Sequence, residues 1–70
     1  MPDPTEVLLA WANLLSAMVR TMHGEGVDNA AIHAFLDQLD LANLTTLDGD
    51  MLAFVLFVTH DLRSTVPSND

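Results

Sequence analysis

Apolar residues recur three and four positions apart at Leu47, Met51, Phe54, Val55, Val58 and Leu62, and inside that ladder lies an unbroken apolar run, MLAFVLFV, from Met51 to Val58. No other feature restricts the possible folds as much. A bilayer span needs about 20 predominantly apolar residues, whereas this run has Asp50 before it and His60-Asp61 after it. A buried strand needs partners, and no other segment alternates with period two. The sustained spacing therefore predicts a helix over roughly residues 46–64, capped by Thr45 or Thr46 with Asp48 and Asp50 in its first turn.

Two more helices precede it. Asp3-Pro4-Thr5-Glu6 is a helix start, with Asp3 as the cap, Pro4 at the first helical position and Glu6 placed for a capping box. Leu8, Trp11, Leu15, Met18 and Met22 then form an apolar stripe that Val7, Leu14 and Val19 widen, and Gly24 offers a left-handed stop. The first helix is thus expected over roughly residues 4–23. Asp28 caps a second, over roughly residues 29–40, whose narrow stripe is Ile32, Phe35, Leu36 and Leu39 and whose opposite side carries His33, Asp37 and Asp40. Leu41 to Leu44 reads as a connection that seals one end of the core, and residues 65–70 read as a frayed tail. The expected fold is all-α, a small antiparallel three-helix bundle forming one domain over residues 1–70.

A chain of 70 residues with no cysteine has neither disulfides nor thiolate metal sites to reinforce a small core. Its ten acidic residues, two arginines and absent lysine give a formal net charge of −8. Binding to a nucleic-acid backbone needs clustered Lys and Arg, so direct nucleic-acid binding is excluded, and anionic membranes are disfavoured for the same reason. The N-terminus is acidic where a signal peptide is basic, which points to a cytoplasmic protein. Six of the acids have a helix-start rationale; Asp37, Asp40, Asp61 and Asp70 do not, and four scattered carboxylates are poor material for a DNA mimic.

The apolar residues exceed what one core needs. Leu52 and Leu56 lie off the third helix's main ladder and form a second row with Thr59 and Arg63; Phe57 projects elsewhere, and Leu9 sits away from the stripe of the first helix. Either the third helix is wedged between the other two, with these residues in the core, or part of this surface docks a partner or a second copy.

Catalytic chemistry finds no footing. The chain has no Cys, Tyr or Lys, and Ser16, Ser64 and Ser68 lack a His/Asp partner at motif spacing. His33, Asp37 and Asp40 supply at most a His–carboxylate pair for a metal. Asp48-Gly49-Asp50 opens like a calcium loop, but the ligand spacing and terminal glutamate of an EF-hand are missing. No cofactor is implied.

In its size, its helical layout and its uncharged segments "VLLAWANLLSAMV" and "MLAFVLFV", the chain resembles the small helical antiactivators of bacterial quorum-sensing regulators. The resemblance implies a short cytosolic protein, without cofactor or catalysis, that binds a transcription activator and blocks it. It carries no site residue over. The residues themselves offer Leu52, Leu56, Phe57 and Leu9 as apolar anchors, with Arg63 and the His33/Asp37/Asp40 face as a polar rim. The partner expected is a DNA-binding regulator with a basic surface; the alternative is an obligate homodimer or a docking domain of a larger assembly.

Overall fold

The computed structural model describes residues 3–67. Three helices follow in order: α1 (Pro4–Gly24), α2 (Asn29–Thr46) and α3 (Gly49–Thr65). They form a small all-α bundle in which all three pairs of helices touch and α2 packs most extensively against α3.

The start of α1 follows from its first residues. The Asp3 carboxylate accepts from the Thr5 backbone N–H at 2.9 Å, and Pro4 opens the helix where its missing N–H costs nothing. The stop differs from expectation. Gly24 is the last helical residue, and the left-handed residue is Gly26, at φ 82°. The Val27 N–H bonds to the Met22 carbonyl and the Gly26 N–H to the His23 carbonyl, the paired bonds of a Schellman motif with glycine where positive φ is required.

α2 is longer than the sequence pattern predicts. It runs through the expected connection Leu41–Leu44 and ends at Thr46 instead of Asp40. The physical reason is continuity: Ile32, Leu36, Leu39 and Asn43 remain on one side, and no glycine or proline interrupts them. Thr45 and Thr46 do not cap α3. Their hydroxyls donate back to the Ala42 carbonyl, at 2.9 and 2.8 Å, and close α2 instead. The α2–α3 connection is then only Leu47 and Asp48. Asp48 occupies the cap position of α3 without a side-chain cap bond, and Gly49 turns the chain into the helix at φ 59°.

The far end also departs from the expected tail over residues 65–70. Thr65 is the last residue of α3, and Val66 beyond it is buried; residues 68–70 lie outside the described residues.

The core is displaced along the bundle axis. Leu15, Val19, Ile32, Leu36, Leu62 and Val66 form one buried cluster, where the end of α1, the start of α2 and the end of α3 meet. At the opposite end, Val55 is buried beside an open cleft of about 200 Å³ lined by Val7, Leu8, Trp11, Asn43, Leu47 and Met51. Met18 and Met51, which fall on the apolar stripes of their helices, are exposed, and Phe54 is half-buried.

Candidate interaction surfaces

Four cross-helix bonds set the antiparallel register of α2 and α3. The His33 Nε2–H donates to the Val66 carbonyl at 2.8 Å. Arg63 bridges two carboxylates, with Nη2 2.5 Å from Asp37 Oδ1 and Nη1 2.6 Å from Asp40 Oδ2. The Thr59 hydroxyl donates to Asp40 Oδ1 at 2.6 Å, with the Leu56 carbonyl as its alternative acceptor at 3.0 Å. Thr59 is wholly buried, so this partner is what makes a hydroxyl acceptable at the centre of the interface. Burial works against the Arg63 charge, but the hydrogen bonds and charges of Asp40 and Asp37 outweigh it and raise the pKa above its already high ordinary value.

Six of the eight sequence-predicted site residues meet on this α2–α3 face: Leu52, Leu56, Arg63, His33, Asp37 and Asp40. Their roles differ from one another. His33, Asp40 and Arg63 bind groups across the interface, while Asp37 keeps 71% of its side chain exposed although it pairs with Arg63. Leu52 and Leu56 are half-buried, on the side of α3 that carries Thr59 and Arg63. Leu41 and Leu44, expected to seal the core, stand one and two turns beyond Asp37 on the same side of α2 and are exposed. The antiparallel register places Leu44 level with Leu56. The other two predicted residues, Leu9 and Phe57, are exposed but turned away from this face.

A second surface was not read as a site from the sequence. A trough follows α1 almost from end to end. It begins at the cleft beside Val7, Leu8 and Trp11, continues between Leu14 and Met18 on α1 and Phe35 and Leu39 on α2, and ends at Ala17, Thr21 and Met22. Among the described residues no charged side chain lines any part of it. Val7, Leu14 and Met18 stand on its outer bank, at 52%, 61% and 43% exposure. The signal lay in the width of the α1 stripe: a helix with apolar residues at Val7, Leu8, Trp11, Leu14, Leu15 and Met18 has more than two neighbouring helices can cover. The Asn43 Nδ2 at the head of the trough is buried without a hydrogen-bond partner.

Two further clefts are polar-edged. They lie between α1 and α3 and involve Arg20, His23 and Asp61. Among the described residues no three His, Asp or Glu side chains converge as metal ligands would, and no helix is long and apolar enough to cross a membrane.

The fold and these surfaces define a class, a small all-α bundle whose distinctive features are its apolar faces. No protein-family model matches the chain, and no curated protein or solved structure matches it either.

Proposed function

We propose that this chain is a non-enzymatic protein–protein interaction module, a small cytoplasmic regulator of antiactivator type that binds a transcription regulator and blocks it. One observation carries the reading: on the α2–α3 face Leu41 and Leu44 are exposed and Leu52 and Leu56 half-buried, beside the Arg63–Asp37 pair. Scattered exposed leucines are ordinary on a protein surface. Neighbouring leucines beside an ion pair form a surface suited to a partner.

The partner-facing surface in this reading is the α2–α3 face. Leu44, Leu52 and Leu56 supply apolar area next to the half-exposed Arg63–Asp37 pair, and Asp37 retains acceptor capacity for a partner's arginine or lysine. The net charge of −8 suits a basic, DNA-binding partner and disfavours DNA beside it. Phe57 and Leu9 belong to a separate exposed area and would contribute only to a partner large enough to wrap around α3.

Tagged wild-type chain and a Leu44→Ser variant, used side by side for capture from the source cell, test the reading. The wild type is expected to retain a DNA-binding regulator that the variant loses at unchanged helix content. The purified chain should then weaken that regulator's binding to its DNA at least about tenfold. Unaltered DNA binding would remove the antiactivator role, and a variant that still captures the regulator would move the site off this face.

A further inference from the structure

We propose that the α1 trough is the interface of a two-fold symmetric homodimer, in which α1 of each copy lies antiparallel along the trough of the other with the axis beside Leu14. The face is independent of the α2–α3 surface assigned to a partner above, and the two can be tested separately.

Electrostatics favours a second copy on this face. Each chain carries −8, so two copies repel unless they meet where the acids are absent. From Val7 to Gly24 the only Lys, Arg, Asp or Glu is Arg20, which borders the clefts between α1 and α3. The α2 acids Asp37 and Asp40 are bound to Arg63 on the opposite side. Acids flank the trough only at its ends, where this alignment would set Asp3 of one copy opposite Glu25 of the other, a repulsion between exposed side chains that salt screens.

The sequence of α1 is also self-complementary about Leu14. In an antiparallel pair centred there, Trp11 faces Ala17, Met18 faces Ala10 and Val7 faces Thr21. Trp11, Met18 and Val7 each meet a smaller side chain, as interdigitating helices require, while Leu14 meets its own counterpart at the axis. A two-fold interface requires this kind of reciprocity, because the same patch is used on both sides.

The area suffices. A helix of the length of α1 spans roughly 30 Å, and with a neighbour about 10 Å away presents a face of roughly 600 Å². Two such faces bury about 1,200 Å², the lower bound for specific, stable interfaces. The resulting four-helix arrangement of α1 and α2 from each copy leaves both α2–α3 faces open, on opposite flanks of one particle.

Sedimentation equilibrium of the full chain over a wide concentration range, repeated at low and high salt, is the test. Wild type is expected to sediment at twice its 7.6 kDa mass, with association strengthened by salt because like charges are screened. Leu14→Glu and Ala17→Arg, both at exposed positions, should retain the helical signal and raise the dissociation constant at least about a hundredfold. Phe57→Glu, on another side of the molecule, should leave the dimer intact. A wild type that sediments as one chain at millimolar concentration overturns the proposal. So does a dimer that Phe57→Glu dissociates and Leu14→Glu does not.

Discussion

Asp40 does more than any other polar residue in this molecule. It is the common acceptor for the buried Thr59 hydroxyl and for Arg63, and its side chain is only 17% exposed. Asp37 bonds to the same guanidinium from a side chain 71% exposed, where water competes and salt screens. The two acids therefore differ in what they contribute. Asp40→Ala is expected to destabilise the fold by about 2 kcal/mol, because Thr59 and Arg63 lose their acceptor in a half-dry setting, while Asp37→Ala costs at most about 1 kcal/mol. Urea denaturation of both variants checks the difference. Since Arg63 titrates above its ordinary high value, the stability its pairing gives is fully present below the unfolded-state pKa and is lost only above it. The cost of Asp40→Ala should accordingly be the same at about pH 6 and about pH 9. Asn43 is the converse case. Its orphaned Nδ2 adds a desolvation penalty with no bond in return, so Asn43→Leu should raise the melting temperature, by an amount equivalent to about 1 kcal/mol. In the sequence, spacing alone aligned Leu52, Leu56, Thr59 and Arg63 in one row. It could not say that the row faces α2, because that depends on Asp37 and Asp40 lying opposite, and a pairing between residues 23 and 26 positions apart leaves no local trace.

At the scale of the elements, the helix starts were legible and the stops less so. Asp3 and Asp28 each accept from the backbone N–H two residues on, as their positions before apolar-periodic segments imply. Asp48 has the same residue type and place but no such bond, because Gly49 enters α3 at positive φ and alters the approach of the chain. Asp28→Ala is therefore expected to cost about 1 kcal/mol and Asp48→Ala only a few tenths, a contrast thermal unfolding followed by circular dichroism would resolve. Gly26, not Gly24, carries the left-handed turn, so Gly26→Ala should destabilise by about 1 kcal/mol and Gly24→Ala should not destabilise. The end of α2 lies beyond its expected place for a definite reason. Thr45 and Thr46 suit the start of a helix and the end of one equally well, and the choice between them is made by hydroxyl bonds to Ala42 that only the folded chain forms.

For the whole molecule, the three-helix architecture followed from periodicity, and the distribution of burial did not. Apolar spacing identifies a face but not how much of it neighbouring helices cover, which is why Val7, Leu14 and Met18 were grouped with Leu15 and Val19 and yet stand exposed. The tail departs from expectation in the opposite sense, since Val66 is buried. Val66 precedes Pro67 and follows the last helical turn, a context that reads as fraying, but its side chain completes the buried cluster and its carbonyl holds His33. Ending the chain at Thr65 should cost about 2 kcal/mol, measured by urea denaturation against the 70-residue chain. The displacement of that cluster toward one end has a consequence for how the bundle opens. Local opening of a fold begins where few apolar contacts hold it. Amide hydrogen exchange should thus be slowest late in α1, early in α2 and late in α3, and fastest at the three opposite helix ends. Protection would then alternate along the chain while forming a single gradient in space, with the short turn between α2 and α3 at its labile pole.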